Sequence, residues 1–307
     1  MSPDPLATAR EVLGDLAQPM VPLGPFTTYK VGGPAALFVE VTDDDVLAAV
    51  AAAVVASGVA VLVVGNGSNM LVSDAGFPGL AIRLGDAYAT VEVDGTEVSA
   101  GGAALLPVVA RQSVKAGLTG FEWAVGVPGS IGGAVRMNAG GHGSDMAASL
   151  LGVRVFDCRT GEDATVPASA LELGYRRSAI TPAQVVLRAT LGLAVDEDGA
   201  GADTISEIVR WRRANQPGGQ NAGSVFTNPD GDSAGRLIDA AGGKGLRRGT
   251  AEVSPKHANF IQADAGGRAD DVFAVMVAVR DAVEAATGIR LHPETRLVGF
   301  DEAEVTW

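Results

Sequence analysis

The hydrophobic positions of the first third of the chain fall into three blocks. "ALFVEVT" is an apolar run suited to a strand, the stretch from Asp43 to Ala56 is rich in alanine and valine, and "VAVLVVG" is apolar again. Strand, helix and strand in that order predict an α/β unit with some parallel pairing. Asp43, Asp44 and Asp45 sit where a helix N-terminus favours negative charge, and Ser57-Gly58 marks the stop. From Thr90 the period changes to two. "TVEVDGTEVSAGG" alternates around Asp94-Gly95 and "GVRVFDCRTGEDATVPAS" around Thr160-Gly161, so each predicts a hairpin.

Between the hairpins, "ALLPVVARQSVKAG" reads as a helix and is followed by a long glycine-rich loop. "DEDGAGAD" is a polar link that marks a boundary, and a helix ending near Arg213 follows it. In the last third Val272, Val275, Met276, Val279 and Val283 recur at helical spacing and Gly288 ends the run. The change of period at Thr90 and the link "DEDGAGAD" divide the chain into three parts. A length of 307 residues suits two or three packed domains.

A net charge of −13 argues against a nucleic-acid partner, whose phosphates need lysine and arginine. An anionic ligand would need a locally basic site. Arg236, Lys244, Arg247, Arg248 and Lys256 crowd the last part and are expected to supply one. The single cysteine, Cys158, excludes an intramolecular disulfide and a cysteine zinc site, and suits a reducing compartment. Val46 to Gly65 is twenty residues without a charge, long enough to span a bilayer. The aspartates before it and Ser57-Gly58 within it divide it into helix and strand, so no membrane segment is expected. The N-terminus has no basic region followed by an apolar run, so it does not read as a signal peptide.

Two glycine-rich stretches follow apolar strands. In "VVGNGSNMLVSDAGFPG", Gly65 and Gly67 let the backbone turn and approach a ligand, and Ser68 and Asn69 offer small polar groups. A tight turn between core strands would use the same residues. "GFEWAVGVPGSIGGAVRMNAGGHGSDM" holds seven glycines from Gly126 to Gly143 and is expected to expose successive N–H groups suited to a pyrophosphate. Its spacing is not the Rossmann fingerprint, so a dinucleotide would sit in another fold.

Ser224, in "NAGSVFTNP", reads as a turn into a strand. "AGSVF" is not the nucleophile elbow and no histidine is near, which rejects a hydrolase. Such a serine can still donate a proton to a strongly basic carbanion, because that transfer runs downhill. Arg176, in "LGYRRSAI", can polarise a carboxylate through paired hydrogen bonds, and Glu294, in "HPETRLVGF", could complete the clamp. Spacing alone leaves each with an ordinary alternative: a turn serine and two solvated charges. His142 and His257 lack metal-ligand spacing, so no metal is expected.

"YKVGGPA", "VVGNGSNMLVSDAGFPGLAIRL", "GLTGFEWAVGVPGSIGGAVRMNAGGHGSDM", "LGYRRSAI", "NAGSVFTNP", "AEVSPKHANFI" and "HPETRLVGF", in this order from about Thr28 to Phe300, resemble the UDP-N-acetylmuramate dehydrogenases, also called UDP-N-acetylenolpyruvoylglucosamine reductases. The resemblance implies an α+β fold of the vanillyl-alcohol-oxidase (PCMH) type. Residues 1–84 and 85–196 would be two FAD-binding subdomains and 197–307 a substrate domain whose C-terminal strand carries Glu294. It implies non-covalent FAD, NADPH as co-substrate, UDP-N-acetylglucosamine enolpyruvate as substrate, and a cytoplasmic monomer making a peptidoglycan precursor.

The same resemblance implies catalytic roles for Arg176, Ser224 and Glu294, with Glu294 at the end of a strand. Cofactor contacts are implied at Gly65, Asn66, Gly67, Ser68, Asn69, Gly129, Ser130, Gly133, Asn138 and Gly140. Substrate contacts are implied at Tyr175, Asn228 and Lys244. Where many relatives have lysine, this chain has Asn215 and Thr227, and it lacks the inserted tyrosine loop of one subclass. The rival readings are another non-covalent FAD oxidoreductase of the same fold and a catalytically silent nucleotide-sugar-binding relative.

Overall fold

A computed structural model describes residues 4–301. By contact density they form two compact units, the first from residues 4–19, 37–66 and 79–212, the second from 20–36, 67–78 and 213–301. The first unit holds helices α1 (Pro5–Leu13), α2 (Asp44–Ser57), α3 (Leu106–Lys115), α4 (Ile131–Met137) and most of α5 (Gly201–Asn215). The aspartates start α2 as expected: Asp43 accepts a hydrogen bond from Val46 N at 2.9 Å. Gly58 ends it at φ +67°, its N–H donating to Val54 O at 2.8 Å. Val61–Val63 then runs parallel to Leu80–Ile82, the parallel pairing that the alternation predicts. Among the described residues no helix is long and apolar enough to cross a membrane.

Both hairpins form and join one five-stranded antiparallel sheet in the order Asp163–Pro167, Leu150–Asp157, Gln184–Gly192, Glu97–Gly101, Val91–Asp94. The Asp94↔Glu97 pair closes on Gly95 at φ +57°, a conformation glycine adopts without a Cβ penalty. Helices α3 and α4 contribute Leu106, Val109, Ile131 and Val135 to the core over this sheet. Cys158 is buried, and that burial pushes its thiol up to about 12, so it packs as an apolar residue rather than reacting.

The segment expected to be one glycine-rich loop is subdivided. It contains a 3₁₀ turn (Glu122–Gly126), α4 and a hairpin of Gly140–Gly141 with Ser144–Asp145. Glycine-poor stretches within it pack inward, Trp123, Ile131 and Val135 all being buried, and this burial overrides the loop signal. The α5 helix runs to Asn215, close to the expected end near Arg213. Its Ile208 joins the core of the first unit, so residues as far as Arg212 group there, whereas the sequence places a break after 196.

The second unit is built on α6 (Ala234–Ala240) and α7 (Ala269–Thr287). The apolar stripe of α7 is as read: Val272, Val275, Met276, Val279 and Val283 are each 1% exposed or less. They pack with the antiparallel sheet Arg247–Arg248, Ala251–Val253, Ile261–Ala263. Tyr29, Val31 and Leu71 are buried in this same core, which explains why two early segments belong to the C-terminal unit. Met70–Val72 pairs in parallel with Arg296–Val298.

Candidate active site

The first unit contains an open cleft between the end of strand Val61–Val63, the start of α4 and strand Gln184–Gly192. Its walls are largely backbone. A Cβ on Gly102 would lie 1.9 Å from Val186 O, a backbone atom, so that position excludes a side chain, and one on Gly65 would lie 2.7 Å from Ser130 Oγ, which would have to turn away. Val63, Leu84, Ile180 and Val185 supply apolar surface, and Arg83 and Arg136 bring cations to the lining of an otherwise acidic chain. An apolar wall and two guanidiniums of this kind suit a planar ligand carrying phosphates.

Of the expected cofactor residues, Gly65, Asn66, Ser130 and Gly133 line this cleft. Asn66 is fixed there by donating its amide to Pro128 O. Gly129, Asn138 and Gly140 do not line it. Gly129 O accepts from Leu106 N at 3.0 Å, and Gly140 is paired with Asp145. Asn138 ends α4 at φ +39°, and its side chain is committed within the protein: Nδ2 donates to Asp145 and to Gly174 O, both at 3.1 Å, while Oδ1 accepts from Ala147 N at 2.9 Å. Only part of the expected row of N–H groups is open, because Ile131 N donates to Ala104 O and Gly132 N to Gly102 O. The lining also includes Arg83, Gly102 and Arg136, of which only Gly102 carries a local signal, the "GG" that closes the first hairpin.

Gly67, Ser68 and Asn69 belong to the second unit. Gly67 (φ +55°) passes over Phe26 and Thr27 so closely that a Cβ would lie 2.4 Å from Phe26 O. Asn69 takes an unexpected partner. Its Nδ2 donates to Glu294 O at 3.0 Å, and its backbone O accepts from Arg296 N at 3.0 Å.

Ser224 and Glu294, seventy residues apart in sequence, are brought onto facing segments of one short ribbon. Phe226 and Pro293 form an antiparallel bridge, Glu294 N donates to Val225 O at 2.7 Å, and Thr227 N donates to His292 O at 2.9 Å. Glu294 does not end a strand. It precedes the strand Arg296–Val298 by two residues, because Pro293 lacks the N–H that would continue a ladder inward.

Arg176, in the first unit, occupies a two-residue turn closed by Gly174 and Arg177, which exchange backbone hydrogen bonds of 3.1 Å. Its φ of +57° is unusual for arginine and costs about 1–2 kcal/mol. Strain of this order collects at functional positions. The guanidinium carbon lies 5.0 Å from the ring centre of Tyr175, which is 62% exposed.

The other substrate candidates have partners of their own. Asn228 Oδ1 accepts from Ala234 N at 3.0 Å at the start of α6, and Lys244 Nζ lies 2.7 Å from Asp239. The expected basic patch is largely neutralised. Arg236 pairs with Asp232, Arg247 with Glu252 and Asp264, and Lys256 donates to Arg213 O at 2.6 Å.

Residues 35–166 match the family described as FAD binding domain, and residues 215–298 match that described as UDP-N-acetylenolpyruvoylglucosamine reductase, C-terminal domain. The chain is 41% identical to the UDP-N-acetylenolpyruvoylglucosamine reductase of Heliobacterium modesticaldum, over 92% of this chain and 91% of that protein. The reductase of the same name from Gloeobacter violaceus is 42% identical over 93% of this chain and 97% of that one. Among solved structures, UDP-N-acetylenolpyruvylglucosamine reductase from Thermus caldophilus is similar with a TM-score of 0.81 and 35% identity, covering 92% of this chain and 98% of that one. The matches to that structure and to the FAD binding domain carry the expected fold class, a mixed α+β flavin-binding fold of the vanillyl-alcohol-oxidase type.

Proposed function

The chain belongs to the UDP-N-acetylenolpyruvoylglucosamine reductase family, and from that premise we propose that it uses FAD to reduce UDP-N-acetylglucosamine enolpyruvate to UDP-N-acetylmuramate with NADPH. The product is a peptidoglycan precursor. We place flavin holding mainly in residues 1–84 and 85–196 and substrate covering in 197–307, and take the working form to be a cytoplasmic monomer.

Gly65, Asn66, Ser130 and Gly133 would hold the cofactor against the apolar wall of the cleft, with Arg83 and Arg136 balancing its diphosphate. FAD, held there, would supply the hydride chemistry that links NADPH to the enolpyruvyl group. The protein's own residues manage the charge that follows. A carbanion beside a carboxylate becomes an enolate dianion, so a fixed guanidinium on that carboxylate, from Arg176, stabilises the transition state more than the ground state. Glu294 orients the same carboxylate. Ser224 delivers its hydroxyl proton to C2, needing no companion base because the enolate is far more basic than an alkoxide.

The observation that supports this assignment is the ribbon that brings the Ser224 segment beside the Glu294 segment, with Glu294 N donating to Val225 O at 2.7 Å. The test is an absorbance spectrum of the purified protein, followed anaerobically by NADPH and then by the enolpyruvyl substrate. Flavin bands that bleach with the first and return with the second are expected. A colourless protein that FAD fails to reconstitute would reject the proposal.

A further inference from the structure

The Ser224 segment has two edges. On one, Val225 O accepts from Glu294 N and Thr295 N at 2.7 and 3.3 Å. On the other edge, the backbone O and the side chain of Asn259 stand where a strand would pair. Asn259 O accepts from Val225 N at 2.9 Å, its Oδ1 accepts from Phe226 N at 3.0 Å, and its Nδ2 donates to Phe226 O at 2.8 Å. The side-chain amide satisfies both backbone groups of Phe226 as a neighbouring peptide unit would. Asn259 is 4% exposed, so water does not replace it. Its own N–H donates to His257 Nδ1 at 3.2 Å, which holds the residue in place.

This geometry bears on catalysis because Ser224 adjoins the clamped segment. A ribbon bridged through so few residues is weakly specified in register, and a slip of one position turns alternate side chains to the opposite face. Asparagine alone both donates and accepts across this span. Aspartate only accepts, leucine does neither, and glutamine is one methylene too long.

We propose that Asn259 is a positioning residue for the second half of the reaction, in which it fixes the register of the Ser224 segment against Glu294 and so sets where the proton is delivered. The inference rests on the reading of Ser224 as proton donor. Hydride transfer from NADPH does not use that ribbon, so the two halves should respond differently.

The test compares wild type, Ser224→Ala, Asn259→Leu and Asn259→Asp as full-length flavoproteins. Anaerobic stopped flow would record bleaching by NADPH and recovery with UDP-N-acetylglucosamine enolpyruvate. Hydrogen–deuterium exchange would be followed in peptides covering residues 222–228 and 290–297. For Asn259→Leu, bleaching is expected within about twofold of wild type and recovery slower by about 10- to 100-fold, the effect of a misplacement near 1 Å. KM for the sugar nucleotide should hold while kcat falls, and exchange should rise in both peptides. Asn259→Asp, which keeps the acceptor, should fall between, and carries the same readouts if the leucine variant does not fold. Unslowed recovery, equal slowing of both halves, or unchanged exchange would overturn the inference. If only the Asn259 variants behave as wild type, the inference alone falls. If Ser224→Ala recovers normally, the proton-donor reading falls and the inference falls with it.

Discussion

The cleft of the first unit and the ribbon of the second are made in opposite ways. The cleft is shaped by missing side chains: Gly65 and Gly102 stand where any Cβ would collide with Ser130 Oγ or Val186 O. The ribbon is shaped by added ones, since the amides of Asn69 and Asn259 take hydrogen bonds that a β-ladder would otherwise supply. A surface made of bare backbone suits a ligand recognised by shape and charge. A pair of groups that must hold one relative position needs directional bonds from outside its own segment.

The largest expected effect breaks the ribbon's chemistry alone. Ser224→Ala should slow flavin recovery with the enolpyruvyl substrate by about 10²- to 10⁴-fold, the range for a lost general acid, and leave bleaching by NADPH nearly intact. Equal loss in both halves would remove Ser224 from its role. Arg176→Lys, which keeps charge but loses the planar fork, should show the same split at about 10- to 100-fold. Lysine meets the same φ of +57°, so the turn is held constant and the change isolates the guanidinium.

Breaking the cleft should give a different signature. Gly102→Ala puts a Cβ 1.9 Å from a backbone carbonyl that cannot swing away. A loss of about 1–3 kcal/mol is expected from chemical denaturation, together with a lower ratio of flavin to protein absorbance after purification. Unchanged flavin content would mean that this wall is not where the cofactor lies.

Smaller still is the pH response of one histidine in each unit. Burial lowers the pKa of both His142 and His257 below the ordinary 6.5, with Arg212 adding to the effect at His142 and Lys244 at His257. The unfolded chain therefore takes up protons first as pH falls, so this contribution is intact above 6.5 and is lost progressively below it. Melting temperature should be flat from pH 8 to 7 in this respect and decline toward pH 5.5, and His257→Gln should flatten the decline. Asp44, whose pKa is lowered chiefly by its hydrogen bond from Arg154, acts separately below 3.8. The smallest change is expected from Lys244→Ala. Its exposed pair with Asp239 contributes about 0–1 kcal/mol, and KM should move less than about twofold. A tenfold rise would return Lys244 to the substrate.

The two regions were also unequally legible. Helix α2, both hairpins and the stripe of α7 are written in local periodicity and end signals, and each forms where the pattern puts it. The loop from Gly126 to Gly143 reads as binding surface, yet its glycines hid α4, and Asn138 proved to cap that helix rather than present its side chain to the cleft. Basic residues counted along the chain suggested positive potential that Asp232, Asp239 and Asp264 neutralise once folded.

By itself the sequence determined most element types and, through seven ordered motifs, the chemistry to expect of Arg176, Ser224 and Glu294. Only the tertiary structure decided that Tyr29, Val31 and Leu71 are buried in the C-terminal core, that Asn69 holds the Glu294 carbonyl, and that Asn259 completes the ribbon. The division follows from range. Periodicity, capping and turn preference act over a few residues and leave a local mark, whereas an amide that meets a backbone group 225 positions away leaves none.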